Sequence, residues 1–246
     1  MRLLPLAAAL ALLLSAPAVP ADPDDERQQF VDANVLWVFY HELGHALIDQ
    51  LDLPVLGKEE DAADQLAVFL TDELWEEDDA DRISDLVASG FWQAAEDAEE
   101  PAPWWDEHST DQQRHFTVAC LYYGGDPARR GHVAKDVGLP DDRAELCVAE
   151  RAQVDRAWGE VLDDLSQKRL PGRLVFHAPQ VAPANAALSR LLADEIALLN
   201  DALSLPADLT VTFAPCGEEN AFYDPETRKI EICTEFADLM DRLHGP

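Results

Sequence analysis

From residue 30 to residue 51 the chain reads FVDANVLWVFYHELGHALIDQL, and around positions 35–39 apolar side chains fall on nearly every side. That texture predicts a helix buried all round. Leu53-Pro54 ends it, because proline cannot continue a helix and restrains the residue before it. The polar, acidic stretch 22–26 reads as a lead into this helix. Ala63, Leu66, Ala67, Leu70 and Leu74 recur at helical spacing and predict a second helix over 59–75. The acidic run 76–79 reads as a solvated turn, and a third helix is expected over 83–95. EEPAPWW, at 99–105, is a loop. Ser109 or Thr110 can cap a helix that runs to about Tyr123 and stops at Gly124-Gly125. Residues 141–166 predict another long helix.

After Pro171-Gly172 the period changes. RLVFH at 173–177 and LTVTF at 209–213 read as strands, with an amphipathic helix over 185–203 between them. Residues 220–223 and 229–233 flank Asp224-Pro225-Glu226-Thr227-Arg228, which is turn chemistry. The expected fold is therefore α+β: mostly helical over 22–170, with a strand-helix-hairpin unit over 171–246 that packs with it as one domain. No internal repeat is present.

Residues 1–21, MRLLPLAAALALLLSAPAVPA, do not belong to this pattern. One Arg, a short apolar core and small residues before position 22 have the form of a secretory signal peptide. The apolar run is far shorter than the roughly 20 residues of a membrane span. Export to the periplasm or outside the cell is thus expected, with no stable membrane insertion after the signal is removed. It places the four cysteines in an oxidising compartment. None forms a C-x-x-C pair, and pairing neighbours gives Cys120–Cys147 and Cys216–Cys233.

Charge narrows the partners. The chain has 18 Lys+Arg against 49 Asp+Glu, a net of −31. Such a surface repels phosphate backbones and anionic membranes, which excludes nucleic acid.

One segment carries chemistry. His41-Glu42-Leu43-Gly44-His45 is H-E-x-x-H. Four residues is about one helical turn, so both imidazoles share a face and can share one metal ion. Glu42 then stands ready to deprotonate a water on that metal. A catalytic zinc takes three protein ligands, and no third His follows at the spacing of longer zinc motifs: positions 48 and 51 are Ile48 and Leu51. The acidic start of the second helix, EEDAAD at 59–64, supplies candidates. Glu60 is the preferred third ligand, with Asp61 and Asp64 competing, while Asp64 can instead fix an imidazole tautomer. Glu59 reads as a solvated residue at a helix start. Ala62 and Ala63 leave room for the two helices to approach. An oxyanion needs a further donor, and His108, Arg114, His115 and Tyr223 are the candidates.

FYHELGHALIDQLDLPVLGKEEDAADQLA resembles a bacterial family described as putative metallopeptidases, and the likeness extends through WWDEHSTDQQRHFTVACLYYGGDP and CGEENAFYDPETRKIEIC. The E-x-x-x-D pattern is similar to that of thermolysin-like gluzincins, in which the Glu is the third zinc ligand and the Asp supports the site. The resemblance assigns these roles to Glu60 and Asp64 and implies a zincin-like fold. Asn220-Ala221-Phe222-Tyr223 is similar to the edge strand that pairs with the extended substrate in such enzymes. In gluzincins that strand precedes the H-E-x-x-H helix; here it follows. The expectation is a secreted peptidase with one Zn2+ per chain, Glu42 as general base, and a peptide or protein substrate. The alternative is a zinc-stabilised accessory protein without turnover.

Overall fold

A computed structural model describes residues 23–100 and 102–245. The signal-peptide segment lies outside the described residues. The first helix, α1 (Pro23–Leu51), starts earlier than the apolar pattern implied, because Pro23 opens a helix as readily as it breaks one. It is followed by α2 (Glu59–Leu74), α3 (Glu77–Asp97), α4 (Asp111–Gly125), α5 (Gly131–Asp136) and α6 (Asp141–Gln167). The expected acidic turn at 76–79 is instead the first turn of α3, where carboxylates suit the positive end of the helix dipole. Glu77 there accepts two hydrogen bonds from Arg130 at 2.9 Å. Thr110 caps α4 in a reciprocal arrangement with Gln113. Gly124 and Gly125 fall inside its last turn rather than beyond it. A Cβ at Gly124 would sit 2.3 Å from the Cys147 carbonyl oxygen, so this glycine sets how closely α4 approaches α6.

The C-terminal part comprises β1 (Leu174–His177), a 3-10 turn at Pro183–Asn185, α7 (Ala186–Ala202), β2 (Leu209–Ala214), β3 (Ala221–Asp224), β4 (Lys229–Cys233) and α8 (Thr234–Leu243). The chain is thus α+β and mostly helical, with one small sheet. Strand order is β1-β2-β4-β3. β1 and β4 both run parallel to β2, and only the β3–β4 hairpin is antiparallel. β3 is therefore an edge strand. Neither the parallel core of the sheet nor α8 was legible in the local pattern. One apolar core includes Phe39, Leu43 and Leu66 from the helices and Val211, Ile230 and Ile232 from the strands.

Disulfides join Cys120 to Cys147, with Cα atoms 5.2 Å apart, and Cys216 to Cys233, at 5.3 Å. The first staples α4 to α6. The second closes the loop before β3 onto the end of β4. Among the described residues no helix is long and apolar enough to cross a membrane.

Candidate metal centre

Gly44 determines how near α1 and α2 can come. A Cβ there would lie 2.8 Å from Ala63 Cα, a distance real Cβ atoms do not adopt. The bare glycine lets the backbones touch, and the start of α2 lies against the H-E-x-x-H turn. Three atoms then form a nearly equilateral triangle. His41 Nε2 is 3.2 Å from His45 Nε2 and 3.1 Å from Glu60 Oε2. His45 Nε2 is 3.3 Å from the same oxygen. A tetrahedral ion with bonds of about 2.0–2.1 Å holds its ligand atoms roughly 3.3–3.4 Å apart. The triangle has the size of one face of that tetrahedron.

The outer nitrogens are already used. His41 Nδ1 lies 2.7 Å from Asp64 Oδ1, and His45 Nδ1 lies 2.8 Å from Glu59 Oε1. Each carboxylate can accept a hydrogen bond from Nδ1–H, which turns Nε2 toward the centre. Glu59, expected to be merely solvated, is thus a partner of His45. The donor set fits a divalent cation of zinc's size and ligand preference. Asp61 points elsewhere: it accepts from Ser109 Oγ at 2.7 Å and lines a separate polar cavity of about 710 Å3.

The sequence profile of one family matches residues 17–162 and 181–245. The chain belongs to that family, whose description is "Putative metallopeptidase". No curated protein and no solved structure matches it.

In this metallopeptidase-family chain the field at the triangle favours positive charge. Burial opposes ionisation of Glu60, but His108, His41 and His45 outweigh it and hold the carboxyl far below its ordinary range. Burial would lower His45, yet Glu60 and Glu59 push it up to about 9. Burial raises the Asp64 pKa, but Arg114 and His41 together outweigh it and hold the carboxyl below its ordinary value. Arg114 grips it with two bonds, Nε to Oδ2 at 2.8 Å and Nη2 to Oδ1 at 2.7 Å. The guanidinium also sits 4.2 Å from the Phe91 ring centre. This commitment removes Arg114 from the oxyanion candidates. His115 is removed as well, since its Nδ1 bonds the Ala88 carbonyl at 2.7 Å and it does not line the cleft.

His108 does reach the centre. Its Nε2 is 3.0 Å from Glu60 Oε2. Lys58 holds the carrying loop, donating to the carbonyls of His108 at 2.7 Å and Asp106 at 3.2 Å. Nothing in the spacing of the sequence announces that tie.

Glu42 is 5% exposed and faces the same cleft, whose volume is about 680 Å3. Burial raises its pKa, while His41, His45 and the Tyr223 backbone N–H pull the other way. β3 forms the opposite wall. Asn220, Ala221 and Tyr223 all line the cleft. The Tyr223 hydroxyl, expected near the reacting group, donates instead to Asp49 Oδ2 at 2.7 Å, so this residue meets the centre through its backbone.

Proposed function

We propose that this chain is an exported, zinc-dependent, gluzincin-like peptidase. The observation that carries the reading is the triangle of His41, His45 and Glu60 donor atoms with buried Glu42 beside it at the floor of a cleft. A purely structural metal site needs no base in that position. His41, His45 and Glu60 would hold the zinc, which when bound would supply Lewis acidity and a water of lowered pKa, about 7. Glu42, its own pKa raised by burial, takes a proton from the attacking water and returns it to the leaving amine. Asp64 fixes the tautomer of His41 and is itself held ionised by Arg114. We assign the oxyanion donor to His108, whose Nε2 lies 3.0 Å from Glu60 Oε2. Tyr223 contributes its main chain beside Glu42. The edge strand β3, with Asn220 just before it and Ala221 lining the cleft, would pair with an extended peptide, which recognises backbone regardless of sequence. Two disulfides support an oxidising, exported location.

Metal analysis by mass spectrometry of the mature protein, run beside Glu42→Gln, tests the reading. About one zinc per chain is expected in both. His41→Ala and His45→Ala should lose it. Against a broad peptide library, the wild type should hydrolyse and Glu42→Gln should fall by about 10²- to 10⁴-fold. Full zinc with no hydrolysis in the wild type would favour a non-catalytic accessory protein.

A further inference from the structure

Between Arg82 and Arg114 the sequence contains no Lys or Arg. In that interval lies the loop that carries His108 to the metal centre, and it bears two side chains that the centre does not use. Trp104 and Trp105 are 99% and 85% exposed. Leu56, on the loop that ends in Lys58, is fully exposed as well.

The tryptophans are held outward by a firm turn. The Asp106 N–H donates to the Pro103 carbonyl at 3.0 Å, which places Trp104 and Trp105 at the two central positions of a β-turn. The His108 N–H donates to Asp106 Oδ1 at 2.8 Å, Lys58 ties the Asp106 and His108 carbonyls, and Ser109 donates to Asp61 at 2.7 Å. Turn tips ordinarily carry Gly, Pro, Asn, Asp or Ser. Two large aromatic side chains add nothing to the turn and leave apolar area in water, which marks a contact surface. Glu107 and His108 line the cleft. Three residues span at most about 11 Å, so the tryptophans stand at the cleft rim.

Their surroundings in the chain have one sign. Glu96, Asp97, Glu99, Glu100 and Glu107 are exposed. The flanking bases are already committed: Lys58 to the two carbonyls, Arg82 to Asp79 and Arg114 to Asp64.

We infer that this turn is an exosite that grips a Lys- or Arg-bearing segment of a polypeptide substrate outside the cleft, with cations over the indole faces. The inference rests on the peptidase reading and names its substrate class. A cation within about 6 Å of an indole ring centre is drawn to the ring's negative face, and neighbouring carboxylates strengthen that attraction. The same carboxylates disfavour other occupants of an exposed aromatic pair. They repel an anionic membrane surface. They also repel a second copy of a chain whose net charge is −31. Since the turn touches no reacting atom, it acts on KM and not on kcat.

Two measurements test this. The first uses peptides with one shared cleavage sequence and a distant tail, either of Lys and Arg or of Gly and Ser. The wild type should show a KM about tenfold lower for the basic tail, with kcat within about twofold. High salt should erase the difference. In Trp104→Ser/Trp105→Ser the KM for the basic-tailed peptide should rise to that of the neutral-tailed one. Trp104→Phe/Trp105→Phe should keep part of the gain, because Phe offers a weaker face. The second is calorimetric binding of the basic tail alone, which needs no turnover, and here too the Ser variant should bind about tenfold more weakly than wild type. Equal binding to both proteins would overturn the exosite and leave only the attraction of an acidic surface. Self-association, or binding to phosphatidylcholine vesicles, that is lost in the Ser variant would overturn it in favour of a second copy or a membrane. Tryptophan-dependent binding without hydrolysis of any peptide would remove the peptidase reading and leave a docking site for basic polypeptides. Hydrolysis indifferent to the tail would overturn the exosite and leave the peptidase.

Discussion

The two walls of the cleft are built on different principles. The helical wall, from α1, α2 and α4, holds His41 through a chain of packed partners: His41 by Asp64, Asp64 by Arg114, Arg114 against Phe91. The C-terminal wall, from β3 and α8, presents a strand edge and apolar side chains, and is secured by Cys216–Cys233 and by Tyr223 on Asp49. Ligand atoms must stay within tenths of an ångström, which only packed helices with a supporting shell provide. A recognition edge must stay open to pair with another chain, so it cannot be covered, and a covalent link limits its movement. On the proposed reading, chemistry is placed on one wall and recognition on the other.

Removing either disulfide breaks this comparison most severely. In the chain-entropy description each closure contributes about 3 kcal/mol. Both Cys120→Ser/Cys147→Ser and Cys216→Ser/Cys233→Ser should lower the denaturation midpoint measurably. Under conditions where both variants remain folded, only the second should also reduce kcat/KM, since it releases the recognition wall. Equal kinetic effects from the two would show that the walls are not separable.

Asp64→Asn attacks the helical wall alone. It removes the charge that fixes His41 and leaves the Arg114 cation without its partner. Losses of supporting partners of this kind typically reduce metal affinity by about 10- to 100-fold, and zinc competition with a chelator reads that directly. Asn220→Ala attacks the other wall. Zinc content should not change, while kcat/KM should fall about tenfold, or roughly 1.4 kcal/mol. A loss of zinc in that variant would make Asn220 part of the centre rather than of the edge.

The smallest effect concerns the polar contact between the helices and the C-terminal part. Tyr40, next to His41, donates to Glu195 of α7 at 2.6 Å, and Trp75 Nε1 donates to Tyr40 at 3.1 Å. Burial raises the Glu195 pKa, and the bond from Tyr40 only partly offsets it. A carboxyl whose folded pKa is raised destabilises the fold once the unfolded chain ionises it. At pH 4 the carboxyl is largely protonated in both states, so wild type and Glu195→Gln should melt alike. As pH rises past the ordinary glutamate value toward 8, the wild type should fall behind Glu195→Gln, which keeps the acceptor without the charge. A wild type that gains on the variant with rising pH would reverse the sign of this contact.

The parts of this protein that its sequence determines are those set within one or two turns of chain. The H-E-x-x-H face follows from 3.6 residues per turn. The pairing of Glu60 with Asp64 on one face follows from the same spacing, and the β3–β4 hairpin from its turn residues. The α+β class was legible for that reason, and the disulfides because each cysteine pairs with its neighbour in the sequence. Where an element's role depended on distant partners, the local reading failed. The acidic run at 76–79 became a helix start because Arg130, far along the chain, takes Glu77. Gly124 acts through α6 rather than as a stop.

Tertiary structure alone decided the rest. It chose Glu60 over Asp61 for the triangle, because the contact of Gly44 with Ala63 fixes the rotation of α2 against α1. It committed Arg114 to Asp64, and it used Lys58 to bring the His108 loop onto Glu60. It set the parallel order of β1, β2 and β4, which leaves β3 at the edge, and it laid α8 beside Trp37. Each of these depends on a distance between residues tens of positions apart. Such distances are fixed by packing and by the pairing of buried charges, and neither leaves a period in the chain.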